Sequence, residues 1–174
     1  MKISTDGTGG RIDDPGGPDE PATGRPGRAW PLPGGPGCAG YARRVLGEAL
    51  AGLGASRDTV ADARLMVSEL ATNAHQHAAG RGPHELWLYL GRGPDPALCC
   101  AVFDTHAGAR LPGYSWTSGD CGRGLSIVGE LSGGRWGSLR TVSRVGPPVP
   151  GKAVWFAIDV PPDVAAAAAR DLPA

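Results

Sequence analysis

The sequence has little of several features that would point to common functions. Its 17 basic and 17 acidic residues cancel, which gives a formal net charge of +0. Only two of the basic residues are lysines, Lys2 and Lys152. A chain without a basic surplus has no long-range attraction for nucleic acid or for an anionic membrane surface. We therefore expect no direct nucleic-acid binding and no membrane binding.

Long apolar runs are also lacking. No stretch approaches the roughly 20 apolar residues that cross a bilayer. The opening residues, "MKISTDGTGG", have neither the basic start nor the apolar centre of a signal peptide. The sequence therefore predicts a cytoplasmic protein, and its 174 residues are enough for one domain with a core.

Cysteines are few, and none forms a CxxC pair. The four are Cys38, Cys99, Cys100 and Cys121. In the cytoplasm we expect reduced thiols, and the two adjacent ones should point to opposite faces of a strand. A zinc site made from His75, His77 and a cysteine is an alternative that rests on proximity alone. Buried structural thiols are the favoured interpretation.

The chain divides into a polar tail, one domain and a short Ala-rich end. Residues 1–28 are dense in Gly, Pro and Asp without apolar periodicity, which predicts a disordered tail. Residues 29–160 carry the periodic segments and should form the folded domain. Residues 161–174 are expected to be a tail, either a frayed helical piece or disordered.

The periodic segments occur in the order strand, helix, helix, two strands, loop, helix, two strands. The second helix should open at Ser56 or Asp58, as its N-cap, and close at Gly80. "HELWLYLGR" with "PALCCAVFD", and "RWGSLRTVSR" with "GKAVWFAIDV", predict two hairpins. This order predicts an α+β fold, an α/β sandwich whose mixed, mostly antiparallel sheet is covered on one face by helices.

The second predicted helix carries polar residues along an apolar stretch, "SELATNAHQHA". At about 100° per residue, Glu69 and Asn73 border the apolar arc and His77 falls inside it. This placement suits a helix that forms one wall of a cleft. It equally suits two boundary residues in contact with water and a core histidine, and this helix alone does not decide between the two.

Two later segments favour a cleft. "VFDTHAG" ends a predicted strand at Asp104, with Gly108 four residues further on. "GRGLSIV" places Gly122 and Gly124 before a helix, whose free amides and dipole suit an anion such as phosphate. Each of these motifs is a weak signal by itself. The order in which they follow one another along the chain is the more specific signal.

In that order, "ELATNAHQHA", "VFDTHAG", "GRGLSIV" and "GKAVWF" resemble the N, G1 and G2 boxes and the last strand of the Bergerat-fold (GHKL) ATPases. The chain is most similar, over about residues 29–160, to histidine-kinase-like ATPases of the anti-sigma-factor serine/threonine kinase family. The resemblance implies a Bergerat-type sandwich, ATP and Mg²⁺ as cofactors, and control of transcription by partner switching. It also implies a sigma factor and an anti-sigma-factor antagonist as partners, and it allows a homodimer.

The resemblance also assigns roles to residues. Glu69 would be the catalytic general base, Asn73 would coordinate Mg²⁺, and Asp104 would accept a hydrogen bond from the adenine amino group. The other nucleotide-binding positions that it implies are His77, Gly108, Gly122, Arg123, Gly124 and Leu125. A base, a positioned metal and donors to the phosphates are the parts that phosphoryl transfer requires.

Two positions near the expected site of the adenine base depart from the family pattern. The G1 box is usually DxGxG, but His106 stands at the first glycine position and could crowd the adenine. Ala153 stands where relatives often have a threonine that helps to bind the base through water. These departures predict weak ATP affinity and favour the alternative function, a non-catalytic ATP-binding anti-sigma-like module. Lys152 either faces the nucleotide or solvates the last hairpin.

The remaining conspicuous side chains are expected to be structural. Trp136, Trp155 and Phe156 should pack in the core or the hairpin rather than stack on adenine. His75 and His84 are expected at the surface.

Overall fold

The computed structural model describes residues 21, 27–78, 80–93, 95, 97–106 and 123–172. The strands in these ranges are β1 (Gly27–Leu32), β2 (His84–Leu90), β3 (Ala97–Asp104), β4 (Trp136–Val142) and β5 (Pro150–Asp159). The helices are α1 (Cys38–Gly52), α2 (Arg57–Ala78), α3 (Arg123–Leu131) and α4 (Pro162–Asp171). The α+β class and the order of elements agree with the prediction.

The five strands form one sheet in the order β1-β2-β3-β5-β4, and every neighbouring pair is antiparallel. Both predicted hairpins, β2–β3 and β4–β5, are confirmed. The expectation of a mixed sheet is wrong for the described strands. The chain crosses from β3 to β4 through α3, a connection that suits parallel neighbours, but β5 inserts between these two strands and pairs antiparallel with both.

The helices all pack on one face of the sheet, as predicted. Alternate strand residues point to this face and join the helices in one core: Leu86, Leu88, Leu98, Cys100, Val102, Val154, Phe156 and Ile158. The residues between them form a second cluster on the opposite face: Trp87, Tyr89, Ala97, Cys99, Ala101, Phe103, Ala153, Trp155 and Ala157. The two adjacent cysteines therefore lie on opposite faces of β3, as expected.

The ends of the folded region differ slightly from the predicted boundaries. β1 begins at Gly27, two residues before the predicted start. At the other end α4 is a helix whose Val164 and Ala168 are buried in the main core, together with Leu172. Positions four residues apart lie on the same side of a helix, so α4 has a packed face and the core extends past residue 160.

α2, which carries the candidate site, begins and ends where local sequence chemistry places its ends. Ser56 is the N-cap, since its hydroxyl oxygen accepts a hydrogen bond of 3.1 Å from the Thr59 N–H. Gly80 follows the helix with a φ of 72°, a conformation that glycine adopts without strain. Across the described ranges, α2 and the other helices all fall short of the length and apolarity needed to span a membrane.

Candidate functional site

A small pocket lies between α2 and the ends of β3 and β5. Its lining comes from two sides, with Leu70, Asn73, Ala74 and His77 on α2 and Val102, Asp104, Lys152 and Val154 on the sheet. The helical spacing of the first four places them on one face of α2. The pocket has a volume of about 20 Å³, which is room for about one water molecule. Three of the residues predicted for the site therefore line one pocket.

The polar residues of α2 differ in exposure. Asn73 is half-buried in the pocket wall, whereas His77 is exposed and lies at the pocket mouth. The alternative of a core histidine at position 77 is therefore wrong. His77 lines the pocket in the last turn of α2, whereas Ala74 and Ala78 in the same turn are the residues buried there.

Glu69 lies one turn before Asn73 and packs against the start of α3. A Cβ atom on Gly124 would lie 2.6 Å from Glu69 Oε2 and 3.4 Å from Glu69 Cβ. Only glycine at position 124 lets the first turn of α3 approach α2 this closely without displacing the carboxylate. The next residue, Leu125, is buried in the main core and fixes α3 there.

The other predicted phosphate-binding positions are described only in part. Arg123 is the first residue of α3, and its side chain is not among the described groups. Gly108 and Gly122 lie outside the described residues. Within the described residues, the start of α3 lies against α2.

Asp104 closes the sheet end of the pocket and is only 2% exposed. Its Oδ1 accepts a hydrogen bond of 2.8 Å from the His106 backbone N–H, and its Oδ2 lies 3.7 Å from Lys152 Nζ. Burial raises the pKa of Asp104 above its ordinary value, while the Lys152 ammonium and the His106 N–H oppose that rise. Both oxygens of this carboxylate therefore already have a donor or a cation beside them.

The Lys152 side chain faces the pocket and is not a solvent-exposed side chain of the last hairpin. It is the cross-strand partner of Asp104, and directly opposed residues in a sheet project to the same face. It is only 8% exposed, which is rare for a lysine and requires a nearby partner charge. Of the two interpretations of Lys152, the structure therefore supports the one that turns it toward the pocket.

Two histidines near Asp104 are placed differently from expectation. The His106 ring Nδ1 lies 3.4 Å from the Arg81 guanidinium at the surface, and it is not part of the pocket wall. His84 was expected at the surface but is buried, with its Nε2 3.2 Å from the Ala74 carbonyl oxygen. The signal for this burial is present in the sequence, since His84 continues the alternation of Leu86 and Leu88 toward the helices.

Three aromatic side chains of β4 and β5 pack in the protein interior. Phe156 and Trp155 are buried on opposite faces of the sheet, and Trp136 packs against the main core, as predicted.

Among the residues that the structure describes, no three His, Cys, Asp or Glu side chains are grouped so that they could hold a metal ion. Within these residues the zinc alternative has no support, and Cys121 lies outside them.

The polar groups in the pocket and beside it suit different parts of a nucleotide. The amide oxygen of Asn73 is a hard oxygen ligand of the kind that Mg²⁺ prefers, and the start of α3, which packs against Glu69 one helical turn from Asn73, suits a phosphate. These groups fit a magnesium triphosphate. At the sheet end an adenine amino group, which is a donor, would meet a carboxylate that a lysine already faces.

Comparison with protein-family models finds no match for this chain, and comparison with curated proteins finds none either.

Proposed function

We propose that this protein binds a nucleoside triphosphate with Mg²⁺ and acts as an anti-sigma-factor-type serine/threonine kinase. ATP is the nucleotide that the sequence resemblance implies. The observation that carries the proposal is the convergence of three separate motifs. Asn73 and His77 line one pocket with Asp104, and Gly124 packs against Glu69 one helical turn away.

Glu69 has the position expected of a general base. It is half-buried, so its carboxylate combines a fixed position with access to a substrate hydroxyl that approaches from solvent. We propose that it accepts the proton of a serine or threonine hydroxyl as the phosphoryl group is transferred. A positioned base of this kind contributes roughly 10²–10⁴-fold to the rate.

Asn73 and α3 would hold the phosphate end of the nucleotide. When bound, Mg²⁺ neutralises charge on the triphosphate. We propose that the Asn73 amide oxygen is its protein ligand, and that the amides at the start of α3, with Arg123, bind the phosphates. Gly124 keeps this helix start close to α2 because it has no side chain.

The partners that we propose are a sigma factor and an anti-sigma-factor antagonist, and the kinase would act on the antagonist in the cytoplasm. Partner switching of this kind requires protein contacts rather than DNA contacts. A formal net charge of +0 agrees with that choice of partner.

A second function, a non-catalytic binding module with the same fold, is favoured by one observation. The Asp104 carboxylate is already engaged by Lys152 and by the His106 N–H, in a pocket of about 20 Å³. A nucleotide that must open this arrangement would bind weakly. In that case Glu69 would have no catalytic role.

Two measurements on the full chain test these functions. Isothermal titration calorimetry with ATP, GTP and ITP, each with Mg²⁺, tests nucleotide binding. Incubation of each γ-labelled nucleotide with purified candidate antagonist proteins then tests transfer, with Glu69→Gln as the inactive variant and Glu48→Gln, on α1, as its control. Binding with transfer that Glu69→Gln abolishes supports the kinase. Binding without transfer supports the module, and no binding of any nucleotide excludes both.

A further inference from the structure

β1 is an edge strand of the sheet. It pairs with β2 on one side, and no other strand in the described part of the chain pairs with its second side. The N–H and C=O groups along such an edge are a template for another extended chain. The strand contains Pro31, a residue that sheets tolerate at their edges because it removes a donor. The open side of β1 can therefore accept an added strand, a common mode of peptide recognition.

A groove of about 490 Å³ borders β1 on the helix side of the sheet. Trp30 of β1 and the buried Leu88 of β2 form an apolar part of its lining. One side of α1, from Tyr41 to Gly52, forms a wall, and the end of α4 contributes the remaining residues. The volume lies in the range of ligand sites, and a mixed lining of aromatic and charged side chains is typical of them. β4, the other edge strand, contributes nothing to this lining.

Arg28 and Trp30 belong both to the edge strand and to the groove lining. They are two residues apart in β1, so both side chains project to the helix side of the sheet. Trp30 is half-buried and Arg28 is exposed, so both are accessible. A strand added to β1 would place one side chain directly opposite each of them, with Cβ atoms about 4.5–5.5 Å apart. These two residues therefore determine which side chains an added strand can carry on this face.

The charges of the groove favour an acidic side chain opposite Arg28. The other arginine of the lining, Arg44, forms an ion pair of 3.5 Å with Glu48 along α1. Arg28 instead donates a hydrogen bond of 3.2 Å to the backbone carbonyl of Asp171, a neutral acceptor. Among the described residues, no carboxylate lies within ion-pair distance of Arg28. A carboxylate on an added strand would supply the missing opposite charge, and a β-branched or aromatic side chain would pair with Trp30.

We propose that β1 and this groove form a docking site for a partner protein, which adds an extended segment antiparallel to β1. The segment carries a β-branched or aromatic side chain opposite Trp30 and, two residues later, an acidic side chain opposite Arg28. The antiparallel direction continues the pairing found throughout the described sheet. The lining of the groove shares no residue with that of the pocket beside α2, so the inference goes beyond the proposed function and does not depend on nucleotide binding.

Fluorescence polarisation of the full chain with short labelled peptides tests this site. The peptides are threonine-rich and carry one β-branched or aromatic residue followed, two positions later, by an acidic residue. Replacing the acidic residue by lysine should weaken binding at least several-fold. N-methylation of the alternate amides that face β1 should abolish binding, while N-methylation of the other alternate amides should not, because only the first set pairs with the strand. No binding of any acidic peptide, or equal binding of both methylated peptides, overturns the inference.

A charge-reversal variant tests the role of Arg28. Arg28→Glu should weaken binding of the acidic peptide at least several-fold and should favour the lysine peptide instead. Arg57→Glu, an exposed change at the start of α2, is the matched control and should leave the preference unchanged. Thermal melting identifies variants that fail to fold, and the peptide comparison on wild type needs no variant. An unchanged preference in folded Arg28→Glu contradicts the assignment. A wild-type dimer in light scattering that dissociates in Arg28→Glu would assign the edge to a second copy and would also overturn it.

Discussion

The two carboxylates of the candidate site, Glu69 beside the pocket and Asp104 within it, are held in different ways. Glu69 is half-buried and packs against the Gly124 backbone, whereas Asp104 is 2% exposed and lies beside a lysine and a backbone N–H. An accessible carboxylate can exchange a proton with a substrate. A buried one has fixed geometry and strong charge interactions, which suit ligand recognition. On the proposed function, the accessible Glu69 would carry the chemistry and the buried Asp104 would take part in ligand recognition.

The largest effect that we predict is a loss of phosphoryl transfer when Glu69, the proposed general base, is replaced. Glu69→Gln removes the proposed base but keeps the shape of the side chain, so phosphoryl transfer should fall roughly 10²–10⁴-fold while nucleotide affinity stays unchanged. Transfer of labelled phosphate to an antagonist and calorimetric binding measure the two quantities. Glu48→Gln, an exposed change on α1, should alter neither. Full transfer activity in Glu69→Gln would remove the catalytic assignment.

Lys152→Met tests whether the sheet end is a coupled charge pair. Removing one member of a buried pair typically costs about 3–5 kcal/mol, because the other charge is left without a partner. The free energy of unfolding in urea at pH 7 should fall by that amount. The double variant Asp104→Asn with Lys152→Met should recover most of the loss. A loss as large in the double variant would mean that Lys152 acts through packing instead.

The same variant has a predicted pH dependence. Because the folded-state pKa of Asp104 is raised above 3.8, its stabilising contribution is complete below pH 3.8 and is lost as the pH rises through the raised value. Lys152→Met removes the cation that opposes this rise, so the penalty at neutral pH grows. The stability difference from wild type should therefore shrink between pH 7 and pH 4, and an equal difference at both pH values would contradict the coupling.

Asp104→Asn tests recognition with a smaller expected effect. Asparagine keeps an oxygen for the His106 N–H but removes the charge, and one poorly satisfied buried group costs about 1–3 kcal/mol. Affinity for the preferred nucleotide should therefore fall at least several-fold in calorimetry, with the fold retained. Asp95→Asn, an exposed change in the loop between β2 and β3, is the control. Unchanged affinity would mean that the base of the nucleotide binds away from Asp104.

Gly124→Ala should have the smallest effect on stability. Alanine favours a helix by about 1 kcal/mol over glycine, but its Cβ would displace the flexible end of Glu69. We expect thermal stability to stay the same or rise while transfer activity falls. Gly40→Ala, in α1, is the matched control, since the nearest atom to its Cβ, on the Arg43 side chain, would be 3.9 Å away. Equal activity in both variants would show that the close approach at Gly124 is not needed.

The parts of the fold that depend on local chemistry were predictable. Ser56 caps α2 through a neighbouring N–H, and Gly80 follows its end with a positive φ. Both hairpins join strands that are adjacent in the sequence. The antiparallel character of the whole sheet was not predictable, because it depends on the insertion of β5 between β3 and β4, and no local pattern specifies that pairing.

The candidate site was predictable to a similar extent. Helical spacing placed Glu69 and Asn73 at the edge of the apolar face of α2, and both are half-buried there. The pairing of Lys152 with Asp104 depends on the register between β3 and β5, over a separation that sequence patterns do not reveal. Helical spacing also placed His77 inside the apolar arc, whereas the structure exposes it.

The measurement that tests the proposed site most directly is nucleotide affinity with and without Mg²⁺ in wild type, Asn73→Ala and Gln76→Ala. Gln76 is exposed on the same helix and serves as the control. Because a metal ligand holds the bound magnesium nucleotide, Mg²⁺ should raise the affinity of wild type and of Gln76→Ala. Asn73→Ala should lose this gain at least several-fold while keeping the affinity measured without Mg²⁺. An undiminished Mg²⁺ effect in Asn73→Ala, or no nucleotide binding by wild type, would contradict the proposed site.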